Sequence, residues 1–159
     1  MKYQGTYSES FTVSAAADAV VAQFLDLDQV VALYGDLDSG DRIDDQTLQF
    51  MLTEQNHGVF TFKGRYDCRY EPVGTDGVKW SSVPVSNGDE ANCDTQGHLS
   101  VKAGDDAGTC VLEYNATMTL DIDVNKMLAP MLKPIVEAAI TKEMGEYVQR
   151  MIKAAEARA

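Results

Sequence analysis

Tyr3, Tyr7, Phe11 and Val13 take odd positions in the first stretch of the chain, and Thr6, Ser8, Ser10 and Thr12 take the even ones. A period of two sends alternate side chains to opposite faces, so Tyr3 to Val13 is expected to be a half-buried strand. Ser14 stands where a helix N-cap is needed, ahead of Ala15 to Asp18, and Val20, Val21, Phe24 and Leu25 then recur at helical spacing. Asp26 and Gln29 form a capping-box pattern that opens a second short helix through Val30, Val31 and Tyr34, which Gly35 closes.

After Gly40 the period of two returns. A short strand at Arg42 to Asp44 turns at Asp44-Asp45 into one with Leu48, Phe50 and Leu52 on a common face. His57-Gly58 turns into a long strand, Val59 to Glu71. It sets Phe60, Phe62, Tyr66, Cys68 and Tyr70 on one side, and Thr61, Lys63, Arg65, Asp67 and Arg69 on the other. Asp76-Gly77 signals a hairpin before Val78 to Val83, and Ser86 to Asp89 is a loop. Asn92 to Ala103 and Thr109 to Ile122 are strands joined by Gly104 to Gly108. The second directs Cys110, Leu112, Tyr114, Ala116, Met118 and Leu120 inward.

From Asn125 to Glu156 the period becomes helical, with an apolar stripe through Leu128, Met131, Leu132, Ile135, Val136, Ala139, Ile140, Met144, Tyr147, Val148, Met151 and Ile152. Pro130 fits a first turn, whereas Pro134 removes a helical hydrogen bond and predicts a kinked start. The Ala-rich end from Ala154 is expected to fray.

One strand, two short helices, a run of antiparallel strands and one long helix make an α+β protein. With 159 residues and no linker or repeat, residues 1–159 read as a single domain. A single helix covers only part of such a sheet, so the sheet must curve around it. A curved sheet that stands off from a helix leaves a space between the two.

Lys+Arg of 13 against Asp+Glu of 25 gives a net charge of −12, which repels phosphate backbones and so excludes nucleic-acid binding. The apolar runs, such as Val30 to Tyr34, are far short of the roughly 20 residues that span a bilayer. Met1 to Thr6 lacks the apolar core of a signal peptide. Cys68, Cys93 and Cys110 are odd in number and widely spaced, as suits reduced thiols in a cytoplasm.

Val13-Ser14-Ala15-Ala16-Ala17-Asp18-Ala19-Val20-Val21-Ala22-Gln23-Phe24-Leu25-Asp26-Leu27 resembles the opening of SRPBCC proteins. This helix-grip superfamily includes START lipid-transfer domains, birch-pollen-allergen-like proteins and polyketide cyclases. Phe62-Lys63-Gly64, Gly108-Thr109 and a closing helix through Leu132, Ile135, Val136, Val148 and Ile152 are similar to the branch of carbon monoxide dehydrogenase G-subunit-like proteins. The resemblance implies a curved, seven-stranded antiparallel sheet gripping the C-terminal helix, with an apolar cavity for a lipid, polyketide or other hydrophobic molecule. The carbon monoxide dehydrogenase branch implies an accessory role near a membrane-associated oxidoreductase.

Candidate chemistry follows from the inward positions. Tyr7, Tyr66, Tyr70 and Tyr114, with Phe62 and Trp80, supply aromatic walls and hydroxyls that orient a ligand. Phe50 and Met118 on the strands, and Met131 and Ile135 on the helix, complete the expected ligand-binding set. Glu9 shares the odd face with Tyr7 and is a candidate acid or base, although a bulge or rim position that leaves it solvated answers better to the cost of burying a carboxylate. Lys63, Arg65 and Arg69 are expected on the watery face. His57 and His98 have no partner at metal spacing. Asp36 to Asp41 fails as a calcium loop, because Gly40 replaces an oxygen ligand, Asp41 takes the glycine position and Thr47 the bidentate glutamate. No nucleotide or nucleophile motif occurs, so neither metal nor cofactor is expected. The reading is a binder of a hydrophobic small molecule, gated by the helix start and the Gly35 to Gly40 loop. Two rivals stand beside it: a cyclase or dehydratase in the same cavity with Glu9 or a tyrosine moving protons, and an acidic interaction module whose partner is unknown.

Overall fold

The N-terminal alternation folds as β1, Lys2–Val13, in the computed structural model, which describes residues 1–159. Along its whole length β1 pairs antiparallel with β9, Cys110–Asp121. β9 pairs in turn with β8, Cys93–Ala103, and the sheet continues through β7, Gly77–Val83, β6, Arg65–Val73, β3, Thr47–Leu52, and β2, Leu37–Arg42. All neighbours in this seven-stranded sheet are antiparallel. Between β1 and β2 lie α1, Ala17–Leu25, and α2, Leu27–Leu33; α3, Ala129–Arg158, closes the chain.

Several boundaries differ from the pattern. Ala16, not Ser14, caps α1, while the Ser14 amide donates to Glu156 Oε2 of α3 at 2.9 Å. The Asp26 cap does form: its carboxylate accepts from the Gln29 amide at 3.3 Å. β2 spans Leu37–Arg42 rather than Arg42 to Asp44, so most of the expected loop before Gly40 is edge strand. An edge strand is held by one neighbour and needs no buried alternation, which is why the pattern concealed it. α3 begins at Ala129 because Asn125 Oδ1 accepts the Met127 amide at 2.9 Å in a turn first, and its Ala-rich end stays helical to Arg158.

The expected strand from Val59 to Glu71 is broken. Its phase survives, but Gly64 sits where a Cβ would come within 2.5 Å of Leu52 Cδ1 and 2.9 Å of Cys93 Sγ, so those side chains close over the backbone. Beyond this neck, residues 53–64 leave the main sheet as a hairpin of β4, Gln55–Asn56, and β5, Thr61–Phe62. Gly58 turns its tip at φ +81°, and the His57 amide donates to the Phe60 carbonyl at 2.9 Å.

α3 lies across β1. A Cβ on Gly5 would come within 2.6 Å of Ile140 Cγ2, so the bare backbone seats the helix. Tyr3 donates its hydroxyl to the Ala129 carbonyl at 3.2 Å, Glu137 accepts the Gln4 amide at 2.9 Å, and Thr141 donates to the Thr6 carbonyl at 3.4 Å. The helix thereby satisfies groups on an otherwise open sheet edge. At the far end Val20, Phe24, Leu27 and Val30 join Val148, Met151 and Ile152 in one buried cluster, which closes that end of the grip. A Gly5→Val variant should lose about 1–3 kcal/mol in urea unfolding, as overpacking lifts α3 from β1. Unchanged stability would show that the helix does not seat on this glycine.

Candidate functional site

Several lining positions are small: Thr95 on β8, Ala116 on β9 and, at the mouth, Ala139 on α3. Gly97 is smaller still, and the Trp80 ring lies against its backbone where a Cβ would overlap it. Facing walls that lack side-chain volume cannot close, and a cavity of about 440 Å³ remains between the sheet and α3. Of its 26 lining residues 20 are hydrophobic, which suits an apolar occupant.

Aromatic rings form the inner half. Trp80 and Tyr114 have centroids 5.2 Å apart, Tyr70 stacks beside Trp80 at 6.4 Å, and Tyr147 descends from α3. A further space of about 30 Å³ shares Tyr70, Trp80, Tyr114 and Tyr147 and ends on Phe24 of α1. Behind the wall, Phe50 is sandwiched between Tyr34 at 4.8 Å and Tyr66 at 4.9 Å, and the hydroxyls of Tyr34 and Tyr66 share a hydrogen bond. Arg150 fixes Tyr34 by donating to the carbonyls of Leu33 at 2.7 Å and Tyr34 at 2.9 Å. The mouth is rimmed by Asp36, by Thr53, Gln55, His57 and Val59 of the hairpin, and by Ile135, Ala139 and Glu143 of α3.

Seven expected ligand residues line this space: Phe62, Tyr66, Tyr70, Trp80, Tyr114, Met118 and Ile135. Three do not, and the placement corrects them. Tyr7 lies edge-on to Tyr114 at 6.1 Å, against the backbone of Gly145, and donates its hydroxyl outward to Glu9. Phe50 has no exposed surface, being filled on both faces by its stacking partners. Met131 is 69% exposed, because Ala129, Leu132 and Val136 take the helix face that packs against Tyr3 and Ile122 and Met131 points away from it. Glu9 is exposed on β1 and is not among the lining residues. The Gly35 to Gly40 segment contributes Asp36 to the rim, and the rest of the expected gating loop is β2.

The pattern missed Tyr34, Asp36 and Glu143, together with the hairpin tip at His57 and Val59. The helical stripe contained Tyr147, Val136, Ile140 and Met144, and that signal places them facing the sheet. On the outer face Arg69 pairs with Glu71 at 2.7 Å, and Lys63 with Asp38 at 3.1 Å. Asp67, expected beside them in water, is 1% exposed and accepts the Ser86 amide at 3.0 Å, because residues 84–92 fold back over it.

Burial holds the hydroxyls of Tyr34, Tyr66, Tyr70, Tyr114 and Tyr147 far above the ordinary tyrosine range. Partial burial, and then the hydrogen bond to Glu9, push Tyr7 up to about 12. Burial likewise drives Cys68 and Cys93 up to about 12, so both remain thiols. The hydroxyls of Tyr114 and Tyr147 carry no hydrogen bond from the protein, and that of Tyr70 lies near the Cys68 thiol. Inside the cavity the polar groups are therefore neutral hydroxyls. They donate and accept hydrogen bonds, and they orient or polarise a carbonyl or phenol rather than remove its proton.

These shifts carry a stability consequence with a definite sign. A buried phenol whose folded pKa is raised contributes stability that is complete below the unfolded value of about 10 and is lost as pH climbs beyond it. The urea midpoint should fall steadily above pH about 10, with phenolate absorbance rising together with loss of tertiary circular dichroism. Phenolate absorbance that rises fully in the intact fold would show the rings to be solvated.

No family model and no curated protein matches the sequence. Solved structures do match. An aromatase/cyclase from Streptomyces sp. R1128 superposes with TM-score 0.68 at 12% identity, covering 98% of this chain and 96% of that one. A protein of Thermus thermophilus gives TM-score 0.66 at 10% identity over 97% of this chain and 99% of its own. Truncated norcoclaurine synthase from Thalictrum flavum gives 0.62 at 11% identity over 96% and 94%. With its seven-stranded antiparallel sheet, two short helices after β1 and long closing helix, the chain has the helix-grip fold of SRPBCC, birch-pollen-allergen-like proteins.

Proposed function

We propose that this protein binds a hydrophobic small molecule, of about the size of a two- or three-ring aromatic, in the cavity between its sheet and α3. The observation that carries the reading is the 440 Å³ space itself, apolar along its walls. Affinity would come from apolar area removed from water, at about 25 cal/mol per Å². Orientation would come from the free hydroxyls of Tyr114 and Tyr147. The three unpaired cysteines support a reducing compartment such as the cytoplasm, and no helix is long and apolar enough to cross a membrane.

A cyclase-type enzyme is the second reading, favoured by the aromatase/cyclase and norcoclaurine synthase among the structural neighbours. With Glu9 outside the cavity, its chemistry would fall to tyrosine hydroxyls acting as hydrogen-bond donors. Titration with N-phenylnaphthylamine tests the first reading. Saturable fluorescence enhancement at one probe per chain is expected, and native mass spectrometry of protein taken from cells should show a co-purified lipophile. Absence of both would leave an empty, ligand-indifferent fold and overturn it.

A further inference from the structure

We infer that the inner end of the cavity seats one neutral acceptor oxygen borne directly on a ring, so that the preferred occupant is a fused-ring ketone that enters oxygen first. The inference rests on the ligand-binding reading and adds to it which atom of the occupant goes deepest. Polar side chains line the main space at two levels. Asp36, Thr53, Gln55, His57 and Glu143 are exposed at the mouth, where water serves them. Deeper in, Thr95 donates to the Thr117 carbonyl at 3.1 Å, Tyr66 shares a hydrogen bond with Tyr34, and Tyr70 lies near the Cys68 thiol. Tyr114, 4% exposed on β9, and Tyr147 of α3 are left with no partner from the protein.

Tyr114 and Tyr147 stand together, because both form the wall of the smaller space of about 30 Å³, with Tyr70, Trp80 and Phe24 completing it. The side-chain atoms that are sealed without a partner are Gln23 Oε1 and Asp67 Oδ1; neither phenol oxygen is among them, so both hydroxyls open onto the space they line. A space of that size admits about one oxygen atom and no ring. A ring ketone projects a single atom beyond its ring edge and accepts at two lone pairs, one for each phenol. A phenol donates more strongly than it accepts, since its lone pair is drawn into the ring, so an alcohol fits second. A carboxylate brings a second oxygen and gives up its water to an apolar wall. Arg150, three residues beyond Tyr147, bonds the neutral Leu33 and Tyr34 carbonyls and keeps its charge. Burial holds the Tyr147 phenol protonated, while that charge acts in the opposite sense and sharpens its O–H as a donor. The ring body would then occupy the main space beside Thr95 and Ala116.

The test uses fluorenone, fluorenol, fluorene and fluorene carboxylate, which share one ring frame, each competing against bound N-phenylnaphthylamine at neutral pH. Corrected for partition into octanol, fluorenone should displace the probe best and the carboxylate worst. In the Tyr114→Phe, Tyr147→Phe double variant the fluorenone-to-fluorene affinity ratio should fall about tenfold. Both substitutions keep the ring and remove a hydroxyl that the protein leaves unpaired, so the fold should survive them. Infrared difference spectroscopy supplies a readout that needs no variant: the carbonyl stretch of bound fluorenone should lie below its value in cyclohexane, and in the double variant it should return toward that value. An unchanged ratio, a carbonyl stretch equal to that in cyclohexane, or fluorenone that fails to displace a bound probe would overturn this inference and leave the ligand reading standing. Tightest binding by the carboxylate would also overturn it, assigning the inner end to the Arg150 charge. Failure of N-phenylnaphthylamine itself to bind would overturn the ligand reading and this inference with it.

Discussion

An Ala116→Phe variant should lose N-phenylnaphthylamine binding by about a hundredfold, equivalent to about 2.7 kcal/mol, while remaining folded. Ala116 is 5% exposed, lines the cavity from the middle of β9 and lies between Tyr7 of β1 and Gly97 of β8 in the register. A benzyl group there projects into the space, beside the rings that would hold the probe. Overpacking destabilises a filled core, but here the new ring enters a void, so circular dichroism should stay that of the parent. Ala139→Trp closes the same space from the opposite wall, at an exposed helical position where folding is not at stake. Both variants should abolish binding. Parent-like affinity in the two together would mean that the probe sits elsewhere.

The second large effect concerns stability. Phe50→Ala should cost about 3–5 kcal/mol in urea unfolding, because it removes a fully buried ring flanked on both faces. The stack joins α2 to the sheet: Tyr34 follows α2, Phe50 lies on β3 and Tyr66 on β6. Phe50→Leu should recover much of the loss, since it leaves a smaller void. A cost below about 1 kcal/mol for the alanine variant would show that the stack does not hold α2 in place.

Phe50 also shows where pattern and structure part. Its alternation with Leu48 and Leu52 placed it on the inner face, as did that of Tyr66 with Cys68 and Tyr70. Periodicity assigns a face and is silent on whether the space in front of that face is filled. Phe50 is met by two rings, whereas Trp80 and Tyr114 look across small residues, Thr95 and Ala116, into the hollow. The volumes that decide this are spread over several strands, and only the register brings them together.

The element order was legible because each strand carries its own alternation and α3 carries a long apolar stripe. The first turns of α3 depart from that stripe's promise: Met131 and Ile135 continue it, yet are 69% and 66% exposed, since Ala129, Leu132 and Val136 take the face that packs against Tyr3 and Ile122. Ile135 still reaches the mouth and Met131 does not. The break at Gly64 left no trace in the phase, because Phe60, Phe62, Tyr66 and Tyr70 all keep even positions across it. What marks the break is the close approach of Leu52 and Cys93 to one glycine, a tertiary fact. Asp36 lay in the stretch that fails as a calcium loop, and nothing in the helical period singled out Glu143. Both are exposed among the residues that line the apolar space.

Methionine methyl groups offer the most direct test, because the seven methionines sample both the inside and the outside of the proposed site. Met118 and Met144 line the cavity, while Met127 and Met131 are 84% and 69% exposed near the start of α3. With isotope-labelled methionine methyls and saturating N-phenylnaphthylamine, intermolecular nuclear Overhauser contacts should appear to Met118 and Met144. Contacts confined to Met127 and Met131, with Met118 and Met144 unperturbed, would place the probe on the outer helix surface and contradict binding within the grip.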